Sequence, residues 1–348
     1  MKAAVIREFG PPDALRYEDM PDPQPRLGEI RIRIHAATVN RVLDVSLRAG
    51  KESFRGPVLP LIPGVDCTGI VDAVGAGVRR CSVGQRVAAA GTMPLDPFPE
   101  DRSDYGGPFG MMGIKRPGGF AELVCVPACA AVEVPQALDF RSAAVIMRHA
   151  PTAWNLLINV AGLKKLETVL IMGAGGNLGT TGIQIAKNVV GATVVAAAGS
   201  DERVRLGLDL GADYGINYSK SDMSEEVMKI TSGKGVDVLY DNIANSRVLP
   251  QAFLTLGVNG RLVTAGAHGG PDVLINFAHL YHKKITIMGR TGHRDGDIPK
   301  CFAAAAEGKI EAQIEKILPL SHAAEAHRLV ESGEVAGKIV LDPTLDRQ

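Results

Sequence analysis

One stretch constrains the fold of this 348-residue chain more than any other: TVLIMGAGGNLGTTGIQIAK, residues 168–187. A short apolar run enters Gly173, Gly175, Gly176 and Gly179 directly, with Asn177 and Leu178 between the last two glycines, and a helical pattern follows. Strand, glycine turn and helix in that order let the backbone turn sharply and come close to a pyrophosphate. The helix N-terminus then offers unpaired N–H groups and a positive dipole to the phosphates. An ordinary glycine-rich turn is the bland alternative, but a second strand, ATVVAAAG, follows the helix as a dinucleotide fold requires.

The end of that second strand bears on which dinucleotide. A carboxylate about twenty residues past the glycines would hold a ribose 2′-hydroxyl, whereas Ala198, Gly199 and Ser200 stand there. No charge repels a 2′-phosphate, and Ser200 and Arg203 can both donate to one, so NADP(H) is the expected cofactor. Asp201 and Glu202 beside Arg203 act against that preference, and Arg203 also reads as a solvated charge on the first turn of a helix.

From about Phe140 the chain alternates helical and strand segments, among them GVDVLYDNI, GRLVTAG and KKITIMGR, which means βαβ units and a parallel sheet covered on both faces. Before that point the texture is short strands broken by Gly and Pro. In GEIRIRIHA, Ile30, Ile32 and Ile34 alternate with Arg31, Arg33 and His35, the pattern of a half-buried strand, with His35 on its polar face. GIVDAVGAGV and VGQRVAAAG point to a compact β-barrel. The last strand, GKIVLD, has no evident partner in the parallel sheet, so the tail is assigned to the first domain. The expected division is 1–134 with 295–348 against 135–294, an α/β architecture of a barrel and a doubly wound sheet.

Composition narrows the function. Hydrophobic residues are 46% and charged residues 22%, enough apolar material for a large core. Lys plus Arg and Asp plus Glu number 38 each, so no net field gathers nucleic acid or anionic membrane. Five cysteines, scattered and without a CxxC, suit reduced thiols in a cytoplasm better than a disulfide framework. The start, MKAAVIREFG, lacks an apolar signal-peptide core, and no run is long enough to span a bilayer.

Taken in order, GVDCTGIVDAVGAGV, VGQRVAAAG, PGGFAELVCVP, TAWNLL and GAGGNLGTTGIQIAK resemble the medium-chain dehydrogenase/reductase superfamily, and in particular its zinc-free quinone and enone oxidoreductases. The resemblance implies a GroES-like catalytic domain beside a Rossmann domain, a small-molecule substrate and a homodimer. At the positions of the three catalytic zinc ligands in zinc members stand Asn40, Val65 and Arg148, and Asp66 keeps only the acid place of that motif. No zinc is therefore expected. Asp66 is left to hydrogen-bond the barrel backbone, to pair with an arginine or, less simply, to act in the chemistry itself. The cysteine-free lobe from Gly91 to Gly119 also lacks the donors of a structural zinc, and its length departs from the zinc-free members.

The resemblance further implies that Asn40 of VNRVLD lies near a nicotinamide with Asp44 in support. Thr152 should lie near the carboxamide, and Ala265, Gly266, Ala267 and Gly289 should offer it backbone groups. It sets Tyr218 against a 2′-phosphate, Asn242 and Ile243 along the adenosine, and Lys338 near the pyrophosphate. Without a metal, Asn40 or Arg148, then His149, would hold the negative charge that develops on a substrate oxygen. Reduction of an activated C=C bond or a quinone is then easier than alcohol oxidation. Two other readings stay open: an alcohol dehydrogenase with atypical or no zinc ligands, and an NADPH-binding sensor or structural protein without turnover.

Overall fold

The structure, a computed structural model, describes residues 1–51, 56–97, 106–333 and 335–347. Two compact units divide the chain, Met1–Arg148 with Ala312–Gln348 and His149–Glu311. The divisions fall at 148/149 and 311/312, where the sequence reading placed them at 134/135 and 294/295. The helix Asp297–Ala306 belongs to the second unit, where buried Asp297 accepts hydrogen bonds from Asn159 Nδ2 at 3.0 and 3.2 Å.

The first unit is organised around the long strand Glu29–Thr38, whose Ile30, Ile32 and Ile34 are fully buried. On its polar face Arg31 and Arg33 both reach Asp72 of the adjacent strand, at 2.8 and 2.9 Å. His35 lies against the Phe140 ring, with centroids 4.6 Å apart. Glu29–Thr38 pairs antiparallel with Asp66–Val74 and with Leu123–Pro127, and its end pairs with Lys338–Asp342. The last strand thus has its partner here, because alternating apolar residues on both strands bury into one core.

Residues 98–105 of the 91–119 lobe lie outside the described residues. In its described part, Thr92–Pro94 pairs with Phe109–Met111. Buried Arg116 donates to Glu29 Oε1, Cys125 O and Pro94 O, each at 2.8 Å, tying the segment to the barrel strands with a charge pair.

The second unit is a six-stranded sheet, all parallel, in the order Tyr214–Asn217, Thr193–Ala198, Thr168–Met172, Val236–Asp241, Leu256–Thr264, Thr286–Gly289. Counting from Thr168, this is the order 3-2-1-4-5-6 of a doubly wound dinucleotide fold, whose ligand crevice opens where the winding reverses, beyond the C-terminal ends of the first and fourth strands. Among the described residues no helix is long and apolar enough to cross a membrane.

Candidate functional site

In the second unit the glycine turn leaves Thr168–Met172 at that reversal. Gly173 has φ +69°, a left-handed conformation that L side chains rarely adopt. A Cβ on Gly179 would stand 2.1 Å from Gly173 O, so only glycine lets the helix Asn177–Gln184 start this close to the turn. Beneath the helix, the Tyr240 hydroxyl donates to Leu178 O at 3.2 Å.

At the end of Thr193–Ala198, Ser200 caps the next helix by accepting from Arg203 N at 3.4 Å. The Arg203 side chain runs back over the glycine turn; a Cβ on Gly175 would lie 2.6 Å from its Cγ. A Cβ on Gly199 would lie 3.1 Å from the half-buried Tyr218 ring, whose hydroxyl is raised in pKa by burial, with the Arg203 charge acting the other way. Asp201, which opposes the cation in the sequence, is drawn elsewhere. It is bonded to Lys220 Nζ and to Asn217 Nδ2, and the Lys220 bond, followed by that of Asn217, lowers its pKa.

The other expected residues lie at neighbouring strand ends. Asn242 and Ile243 follow Val236–Asp241, residues 265–267 follow Leu256–Thr264, and Gly289 ends Thr286–Gly289. A Cβ on Gly266 would stand 2.4 Å from Asn242 O, so these two strand ends are in close contact. The Asn242 amide is buried and neither its nitrogen nor its oxygen has a hydrogen bond. Buried Asp241 accepts from Ala244 N at Oδ2, at 2.8 Å, while its Oδ1 has no partner; burial raises its pKa. Unmet polar atoms beside a turn shaped by glycines fit a polar ligand such as a dinucleotide. Thr152 is half-buried in the helix Phe140–Trp154.

Asn40, Asp44, Arg148 and Lys338 belong to the first unit: strand ends bring Asn40 to Lys338, Asp44 lies in the turn Arg41–Val45, and Arg148 lies on the helix Phe140–Trp154. The register that sets Ala36 opposite Thr68 carries Thr38 to Asp66. The register that sets Thr38 opposite Val340 carries Asn40 to Lys338. Asp66, fully buried, accepts from Thr38 N and Thr38 Oγ1 at 2.7 Å each and from Asn40 Nδ2 at 3.1 Å. It therefore holds the barrel backbone. Asp44, also fully buried, accepts from Asn40 N at 2.8 Å, Asn40 Nδ2 at 3.0 Å and Gly64 N at 3.1 Å. Burial first, then the Asp66 charge, pushes Asp44 up to about 6. Arg148 is half-buried, and its charge is felt at both Asp44 and Lys338.

Two of the expected residues are hydrogen-bonded within the first unit. The Asn40 amide was expected to meet substrate oxygen, but its two N–H donors are already surrounded by Thr38 O, Thr38 Oγ1, Asp44 and Asp66, at 3.0 to 3.2 Å. Lys338 was expected near a pyrophosphate, yet it is buried, with Nζ donating to Asn40 Oδ1 at 2.7 Å and Val39 O at 3.3 Å. Only the register of the last strand reveals this, and the motif GKIVL carries no sign of it.

A family described as alcohol dehydrogenase GroES-like domain matches residues 26–136, and one described as zinc-binding dehydrogenase matches 178–307. An NAD-dependent alcohol dehydrogenase of Sulfolobus acidocaldarius is 32% identical over 99% of this chain and 100% of its own. The human quinone oxidoreductase is 29% identical over 98% and 97%, and a 2-haloacrylate reductase of a Burkholderia species 30% over 98% and 98%. A mycobacterial protein solved in complex with NADPH is 27% identical with a TM-score of 0.77, covering 99% of this chain and 100% of that one.

The zinc in the second family's description can be tested against the donors present. Among the described residues no three His, Cys, Asp or Glu side chains group as metal ligands. Asn40 and Arg148 present N–H donors, Val65 presents none of the lone pairs zinc needs, and the nearby carboxylates already accept N–H groups. Zinc does not fit this donor set. The parallel sheet with its glycine turn, the barrel strands and relatives matched over nearly their whole length lead to one conclusion: the chain is an oxidoreductase of the medium-chain dehydrogenase/reductase superfamily, in its quinone and enone oxidoreductase branch.

Proposed function

We propose that the protein reduces a quinone or an α,β-unsaturated carbonyl with NADPH and without zinc. The observation that carries this reading is the set of side chains at the expected metal position, Asn40, Val65 and Arg148, backed by the buried Lys338. A site with cationic side chains and no zinc donor set suits a reaction whose negative charge spreads into an enolate or a quinol oxygen. The nicotinamide supplies hydride when bound. Arg148 is the group assigned to the reacting oxygen, because the Asn40 amide is engaged with its own neighbours. The 2-haloacrylate reductase and quinone oxidoreductase relatives support this substrate class.

NADPH is preferred over NADH in this reading, on Ser200, Arg203 and Tyr218, with Asp201 held off by Lys220 and Asn217. The pyrophosphate is assigned to Gly173–Gly179 and its helix N-terminus, and the adenosine to Asn242 and Ile243. Thr152, Gly289 and residues 265–267 are assigned to the carboxamide. A homodimer, with the edge strand Thr286–Gly289 and its exposed Ile287 free to meet a second copy, completes the reading. The test is NADPH oxidation with a panel of enones and quinones, run against alcohol oxidation with NADP⁺ and NAD⁺, with and without chelator. Enone or quinone reduction that resists the chelator supports the proposal. Alcohol oxidation alone would instead favour the second reading, an NAD-dependent alcohol dehydrogenase, which the 32% identical relative represents.

A further inference from the structure

We propose that Lys338 is a positioning residue: its buried ammonium fixes the Asn40 carboxamide, and the tight turn that follows it, in one orientation between the Asp44 and Asp66 carboxylates. The two ends of a carboxamide are nearly the same shape, so only their partners choose between them. Here Oδ1 meets Lys338 Nζ at 2.7 Å, and Nδ2 meets Asp44 Oδ2 and Asp66 Oδ2 at 3.0 and 3.1 Å. A flipped amide would set a carbonyl oxygen against two carboxylates and an NH₂ against an ammonium. The cation on one side and the two carboxylates on the other select the same orientation, and the cation is what holds Oδ1.

That orientation reaches the backbone. Asn40 N donates to Asp44 Oδ2 at 2.8 Å and Asn40 O accepts from Val45 N at 3.1 Å, which closes the turn Arg41–Val45 at both ends. Asp44 Oδ1 then takes Gly64 N at 3.1 Å and ties the turn to the loop before Asp66. The charged groups facing Lys338 are Asp66 from its strand, Asp44 from the turn and Arg148 from the helix Phe140–Trp154. Burial pulls the ammonium down to about 8, with Asp66 and then Asp44 opposing and Arg148 adding to the fall. Above that pH the lysine is neutral, its bond to Oδ1 is no longer charge-assisted, and Arg148 is the cation left acting on Asp44.

The inference extends the proposed reduction, on which it rests for the choice of assay, so two readouts are needed on the full-length protein. One is amide hydrogen exchange of residues 40–45 from pH 6.5 to about 9.5, corrected for intrinsic base catalysis. The other is kcat/KM for NADPH-dependent reduction of an enone or quinone that the wild type accepts. In the wild type both should fall together with a midpoint near pH 8. Lys338→Met should lower protection and kcat/KM at neutral pH by about tenfold or more and flatten the alkaline limb. Lys338→Arg, whose guanidinium keeps its charge, should retain protection without that limb.

A Lys338→Met protein with wild-type protection and the same limb would overturn the proposal. So would a Lys338→Arg protein that still titrates near pH 8. Should Lys338→Met fail to fold, the Lys338→Arg profile decides. Should the wild type reduce no enone or quinone, the substrate reading fails by itself, and hydrogen exchange alone decides the role of Lys338.

Discussion

Lys338 Nζ donates to Asn40 Oδ1 at 2.7 Å across 298 positions of sequence, with both side chains buried. The bond gives the amide a fixed direction and places a cation of the chain beside two carboxylates. An ion added there would have to displace hydrogen bonds that Asp44 and Asp66 already accept. We therefore expect the purified protein to hold far less than one zinc per chain by elemental analysis, and its activity to survive dialysis against chelator. One tightly held zinc, with activity lost on its removal, would contradict the arrangement.

Cofactor choice is expected to rest on the end of the strand Thr193–Ala198. A charge-assisted hydrogen bond contributes about 1.5 to 3 kcal/mol, so Arg203→Ala should weaken NADPH by roughly ten- to a hundredfold and leave NADH almost unchanged. Lys220→Ala should act in the same direction more weakly, because it releases Asp201 toward Arg203. Fluorescence titration of both cofactors checks this, and equal wild-type affinities would refute the assignment.

For the reaction itself, Arg148→Ala should cut kcat by roughly a hundredfold, the scale of one lost oxyanion donor, with little change in NADPH affinity. Asn40→Ala should behave differently. It leaves the buried Asp44 and Asp66 facing each other and Lys338 with Val39 O in place of its shorter bond to Asn40, so both melting temperature and activity should drop. Near-normal turnover of Arg148→Ala would move the role to another group.

Acid stability provides a test that needs no substrate. His327 is fully buried in the helix Ala323–Ser332, edge-on to Phe120 at 5.8 Å, and neither ring nitrogen has a hydrogen bond. Burial, and then the Arg48 charge, pushes it from 6.5 down to about 3. Below pH 6.5 the unfolded chain takes up a proton that the folded chain refuses. Stability should thus fall by up to about 1.4 kcal/mol per pH unit as pH drops from 6.5 toward 3. Asp44 works in the opposite sense, since its value rises from 3.8 to about 6 and its contribution is lost as pH increases through that window. His327→Leu should flatten the acid side of the melting-temperature profile, whereas an unchanged profile would place the proton uptake elsewhere.

Local pattern was enough to read the glycine turn and the parallel sheet. Gly173 and Gly179 are demanded by backbone geometry within a few residues, and runs such as TVLIMG declare strands buried on both faces. The alternation in GEIRIRIHA likewise marks a half-buried strand without reference to anything distant. The reading that Asn40, Val65 and Arg148 cannot hold zinc rests on side-chain chemistry at the places the resemblance gives, and elemental analysis tests it. Tertiary structure decided where the charges of GKIVL and VNRVLD go. Lys338 read as a phosphate ligand and Asn40 as a free donor, yet strand register sets them against each other and spends their hydrogen bonds internally. The same holds for Asp201, which sits beside Arg203 in sequence but bonds to Lys220 and Asn217 across the next strand. Such pairings depend on which distant groups share a low-dielectric space, a property of packing that no local spacing encodes.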